Sequence, residues 1–165
     1  MRTSTAPSRP LPTSSETTST EVFETIAAEA AAESPLWGEA LRGDPERVYI
    51  FGALVPERFA LGVETIYEGY LLHYGRPRLF APPDADVALL LGDYLYAHGL
   101  VRIAATGELD PVAALAELIS TCAALRAEGE PGDGDAWVGC VRRLGGDPDG
   151  EAVSSSLGAH ADRVG

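Results

Sequence analysis

Apolar residues return every three or four positions through most of this chain, and no stretch alternates in the way a strand would. Placed on a helical wheel, residues 56–74 gather Phe59, Val63, Ile66, Tyr70 and Tyr74 into one stripe. Gly62 and Gly69 lie seven apart on one side of that stripe. Glycine lowers helix propensity, so the pair predicts a close approach by a second helix. Residues 84–106, entered through Pro82, Pro83 and Asp84 and left at Gly107, supply the counterpart, with Gly92 and Gly99 at the same spacing. The two long helices are expected to pack together as the central pair.

The flanking segments carry their own start and stop signals. Residues 20–34 form an Ala- and Glu-rich helix with Val22, Phe23 and Ile26 as its large apolar residues, placing it at the periphery. Ser34 followed by Pro35 opens a short helix that Gly43 stops, and Asp44 followed by Pro45 repeats the signal for a helix up to about Leu54. The clearest helix starts at Asp110 and Pro111, carries the stripe Val112, Leu115, Ile119 and Cys122, and ends at Gly129. After the turn-rich "PGDGD", "AWVGCVRRLGG" predicts one more short helix. The expectation is an all-α protein: a disordered Ser/Thr/Pro-rich arm over 1–19, one helical domain over 20–145, and a disordered tail over 146–165.

Charge and composition narrow the function. Twenty-five acidic residues against 12 basic ones give a net charge of −13, which repels a phosphate backbone, so no nucleic acid is expected. Every basic residue is arginine, so no lysine is present for a Schiff base or a phosphate loop. Cys122 and Cys140 lack metal-finger spacing and are read as reduced and structural. The N-terminal residues lack the apolar core of a signal peptide, which leads to an expected cytoplasmic location. Residues 87–105 approach membrane-spanning length but contain Asp93, His98 and Arg102, so they are read as a buried core helix and not a transmembrane segment.

Candidate chemistry is sparse. Glu64 and Glu68, four apart, project from one side of a helix as a two-carboxylate metal site requires, although such pairs are usually solvated. Asp93 has Leu89, Leu90, Ala97 and Leu100 around it on the wheel, which predicts burial and therefore a hydrogen-bonded partner. Arg76 and Arg78 follow a helix in a loop, where guanidinium groups can hold a phosphate or a partner's carboxylate or simply be solvated. His73, His98 and His160 fit no two-histidine or nucleophile motif and are read as structural or exposed.

Two stretches point the same way. "VETIYEGYLLH" resembles the helix of trans-isoprenyl diphosphate synthases (polyprenyl synthetases) that runs V-E-L-I-H-x-A-S-L-I-H, through Val63, Glu64, Ile66, Leu71, Leu72 and His73. "LLLGDYLYAHGLVRIA" is similar to that family's A-I-L-x-G-D-Y-L-x-x-x-A helix, through Leu91, Gly92, Asp93, Tyr94 and Leu95. The likeness covers residues 56 to about 128 and implies a compact bundle resembling part of the isoprenoid synthase fold. The family's first helix runs into D-D-x-x-D, whose carboxylates hold magnesium; here the matching positions are Tyr74, Gly75 and Arg78. The R-R-G-x-P that follows it is reduced to "GRP" at 75–77, and the G-K-x-x-R clamp and second D-D-x-x-D have no counterpart.

The resemblance therefore implies a truncated, degenerate relative with no prenyl transfer activity of its own and no cofactor, magnesium being required only if it is active. The expected role is an accessory or regulatory subunit that docks on a catalytic prenyl synthase, or self-associates, through its apolar helices, with Arg76, Arg78, Tyr70 and Tyr74 as contact residues for ligand or partner. One alternative is a helical isoprenoid- or lipid-binding protein with Tyr67, Tyr70, Tyr94 and Tyr96 lining a cavity. Another is a divergent prenyltransferase using Glu64, Glu68 and Asp93.

Overall fold

A computed structural model of the chain describes residues 14–165. Among the described residues there is no strand, only an isolated antiparallel bridge between Leu41 and Phe80, and the protein is all-α. In chain order the helices are α1 (Ser14–Glu33), α2 (Pro35–Glu39), α3 (Glu57–Tyr74), α4 (Ala85–Ala104), α5 (Leu109–Glu128), α6 (Asp133–Arg143) and α7 (Gly150–Val164), with one 3-10 turn at Gly52–Leu54. The expected arm falls outside the described residues up to position 13, and α1 takes in the rest of it.

The helix ends follow from local chemistry. Asp84 accepts from the Val87 amide at 2.9 Å to start α4, and Asp149 accepts from the Ala152 amide at 2.8 Å to start α7. Gly129, at φ 70°, closes α5 in the left-handed conformation that only glycine adopts cheaply.

α3 is the centre of the molecule, with thirteen of its eighteen residues buried. One side packs into a core with Phe51, Leu115, Leu118, Trp137 and Val141, and the other into a core with Phe23, Ile26, Phe80, Leu91 and Leu95. The glycine spacing has the expected consequence. A Cβ on Gly99 would lie 2.4 Å from Ile66 Cγ1, and one on Gly69 would lie 2.9 Å from the Gly92 carbonyl, so α3 and α4 cross in near backbone contact.

Three expectations are corrected. Residues 44–51 form no helix; their amides go to other partners, Glu46 N–H to Arg78 O at 3.1 Å and the Ile50 amide to a side chain of α3, just after Arg42 N–H bonds Leu79 O at 2.9 Å. Residues 150–164 are not a disordered tail but helix α7, whose His160 and Ser156 are buried against α3 and the loop before it. α4 is not a fully buried core helix. It is long and apolar enough to cross a membrane by length and composition, and 33% of its most apolar window is buried. Only the side bearing Leu91, Gly92, Leu95, Gly99 and Ile103 is fully buried, which leaves Leu89, Leu90 and Val101 more than half exposed.

Candidate functional site

The residues singled out as a possible metal pair lie at the centre of the fold, in a closed ion cluster. Glu64, Glu68 and Arg78 are each 0% exposed, which corrects the expectation of solvated glutamates and a solvated loop arginine. Their spacing on α3 points both carboxylates at the loop 75–82 that doubles back over the helix. Arg78 Nη1 donates to Glu64 Oε2 at 2.5 Å and Nε donates to Glu68 Oε2 at 2.9 Å. The second Nη1 hydrogen reaches Val48 O at 2.8 Å, and Nη2 lies 3.4 Å from Glu64 O.

The remaining carboxylate oxygens are also taken. Glu64 Oε1 accepts from the Ile50 amide at 3.1 Å and the Gly52 amide at 2.6 Å, and Glu68 Oε1 accepts from the Leu79 amide at 2.7 Å. Gly52 is required here, because a Cβ at that position would sit 2.5 Å from Glu64 Cγ. The guanidinium stacks between the Phe23 and Tyr67 rings, 4.8 and 5.0 Å from their centroids. Burial works against the Arg78 charge, but the two carboxylates outweigh it and raise its pKa above the ordinary arginine value. A buried charge survives only when paired and hydrogen-bonded in this way. Chemically the cluster is a staple joining α3, the 44–52 loop and the 75–82 loop.

Asp93 is not part of it. Its side chain is 65% exposed on α4 and lies 3.2 Å from His73 Nε2, which corrects the expected burial. The cause is the orientation of α4, whose packed side is set by Gly92 and Gly99 and turns Asp93 outward. Glu64, Glu68 and Asp93 therefore do not converge, and among the described residues no group of three His, Cys, Asp or Glu is placed to hold a metal ion.

A second polar cluster brings α3, α5, α6 and α7 together. Tyr70 donates a short bond to Asp133, and its hydroxyl accepts from Arg126 Nε at 3.0 Å; Arg126 Nη2 also reaches Asp133 at 2.5 Å. His160 Nδ1 lies 3.0 Å from the Tyr67 hydroxyl and its Nε2 3.3 Å from Asp133. That arrangement fits a neutral imidazole with the proton on Nε2, the tyrosine donating to Nδ1. Burial raises the Tyr67 and Tyr70 pKa values. Burial also works to raise that of Asp133, but the bonds from Tyr70 and Arg126 prevail and lower it. Burial lowers that of His160 against the pull of Asp133. Around the cluster Phe51 stacks on Trp137 at 5.1 Å, and Tyr67 and Tyr70 stack at 5.9 Å.

The other contact candidates have structural duties. Tyr74 packs against Tyr70 at 5.3 Å, and Arg76, although exposed, donates to Asp162 O at 2.6 Å near the end of α7. Tyr67 and Tyr70 are core residues, Tyr94 packs at a tilt on Trp37 at 4.2 Å, and Tyr96 stacks on His73. The four tyrosines are spread through these packings. Sequence reasoning missed Asp133, Arg126 and His160 as a unit, because two of them fall in segments read as a turn and a tail. The one available signal was Asp133 within the "PGDGD" break, where α6 begins. Compared with known proteins, the chain matches no family model, no curated protein and no solved structure.

Proposed function

We propose that this is a non-catalytic helical protein, resembling part of the isoprenoid synthase fold, that serves as an accessory or regulatory subunit of an isoprenoid diphosphate synthase. The observation that carries the reading is the Glu64–Arg78–Glu68 cluster. A magnesium-dependent prenyl transfer needs free carboxylates to hold the ions that neutralise a diphosphate leaving group. Here both helix carboxylates are bonded to a buried guanidinium and three backbone amides. Arg78 stands at a position where the resemblance would place the last aspartate of D-D-x-x-D.

A docking role is supported by α4. Leu89 (52% exposed), Leu90 (57%), Ala97, Val101 (64%) and Ala104 run along its outer side, interrupted by Asp86 and Asp93. An exposed apolar stripe on a helix is the usual seat of a partner helix. The occupant in this reading is the catalytic subunit.

The test is an isopentenyl transfer assay with Mg²⁺, run on this protein alone and mixed with a full-length prenyl synthase from the same genome. No turnover is expected alone, and a changed rate or product length in the mixture, lost with Leu90→Glu and Val101→Glu. Turnover by the protein alone, or a mixture indistinguishable from the synthase by itself, overturns the proposal.

A further inference from the structure

A cavity of about 310 Å³ opens between α1 and the loop that follows α2, within the size range of small-molecule sites. Its floor is apolar, made by Ala27, Ala28 and Ala31 of α1 with Phe23, Leu41 and Leu79. The cavity exists because α1 presents methyl groups where longer side chains would have closed the gap against the loop. Arg42 and Arg47 lie in the lining, both exposed.

Arg42 and Arg47 lack the carboxylate partner that six other arginines of this chain have, a condition they share with Arg76 and Arg142. With 25 acidic residues available, Arg58, Arg78, Arg102, Arg126, Arg143 and Arg163 each hold a carboxylate. Among the described residues, neither the Arg42 nor the Arg47 guanidinium makes an ion pair or a hydrogen bond, although Arg42 is near enough to Glu46 to help lower its pKa. Glu24 is the one acid in the cavity lining, so the lining keeps one net positive charge on a molecule whose net charge is −13. An apolar floor with two unengaged guanidinium groups matches an alkyl chain ending in a carboxylate, which arginine binds through paired N–H···O bonds. A single negative charge on the head group balances the lining.

We propose that this cavity binds a single-chain amphiphile with a monoanionic carboxylate head, its chain over the alanines of α1 and its carboxylate between Arg42 and Arg47. The site shares no residue with the outer stripe of α4, so it stands or falls independently of partner docking.

Three ten-carbon probes titrated calorimetrically into the full chain below their micelle-forming concentrations test it: decanoate, decanol and decyltrimethylammonium. Decanoate is expected to saturate a single site and to bind more tightly than either of the others, although the net charge of the protein favours the cation. Arg42→Gln and Arg47→Gln are each expected to weaken decanoate on the order of tenfold, the worth of a charge-assisted hydrogen bond, and to leave decanol unchanged. Ala28→Trp, at an exposed position of α1, is expected to abolish binding of both while helicity and melting temperature hold. Tighter binding of the cation, absence of decanoate binding, or decanoate binding unaffected by Ala28→Trp or by both arginine variants overturns the proposal.

Discussion

Replacing Arg78 by methionine keeps much of the side-chain volume and removes the charge and all its donors. Two carboxylates four residues apart on α3 are then left at 0% exposure without a cation, and the Val48 carbonyl loses its donor. Removing one partner of a buried ion pair costs about 3–5 kcal/mol, and here one cation serves two anions, so the upper part of that range is expected. Loss of the contacts to Phe23 and Tyr67 adds about 1 kcal/mol. Single domains have a total stability of about 5–15 kcal/mol, so the variant loses a third of it or more. At about 2–4 °C per kcal/mol for a chain of this size, the melting temperature falls by roughly 10–24 °C.

The assay is urea unfolding followed by far-ultraviolet circular dichroism, with the slope checked against that of the parent chain. Arg78→Lys should fall between the two, because an ammonium retains the charge but cannot fork between Glu64 and Glu68. A methionine variant within about 1 kcal/mol of the parent at equal slope would falsify the claim that the cluster holds the fold together.

Three further outcomes follow from other parts of the structure. Gly99→Ala puts a methyl group 2.4 Å from Ile66 Cγ1 and 3.0 Å from the Gly62 carbonyl, and a loss of about 1–3 kcal/mol is expected by thermal unfolding; an unchanged melting temperature would mean the helices do not cross this closely. Burial holds the His160 pKa below its ordinary 6.5, so the folded protein takes up the proton less readily than the unfolded chain. Stability is then full above that pH and declines as pH falls below it, a slope that His160→Gln should flatten; parallel stability profiles for the two proteins would contradict the assignment. The thiols of Cys122 and Cys140 are pushed up to about 12 by burial, so an aromatic disulfide reagent should label neither at neutral pH until the chain is unfolded; prompt labelling of the native protein would place at least one of them at the surface.

Much of the architecture was legible before the structure because it rests on local rules. The α3–α4 pair followed from the stripe through Phe59, Val63 and Ile66 and from glycines repeated at seven, and the start of α4 followed from Asp84. The errors share a cause, which is that long-range partners decided the outcome. Residues 44–51 carry a helix-start signal, yet amides there bond to Glu64 and to the Arg78 carbonyl. Residues 150–164 look weakly apolar alone, and His160 and Ser156 become core residues only against Tyr67 and the Ile50 carbonyl.

Of the candidate site, the spacing of Glu64 and Glu68 was readable, but their occupant was not. Spacing fixes which side of a helix two carboxylates share, whereas Arg78 reaches them through a loop whose path no local pattern encodes. Asp93 failed for the opposite reason: a wheel rich in leucine does not say which leucines face the partner helix.

The position of α7 bears on how the chain is made. Its anchors lie far back in sequence: Ser156 to Ile50 across 106 residues, His160 to Tyr67 across 93, and Arg163 to Glu46 across 117. Contacts of such separation form late, after the entropy of closing large loops has been overcome. During synthesis, the aromatic side of α3 stays without its last cover until residues 150–164 have left the ribosome. A nascent chain halted before that point lacks the His160 ring that packs on Phe51, Tyr67 and Tyr70, leaving an aromatic surface for chaperones or for aggregation. The core of this protein closes only once α7 is free to fold back over it.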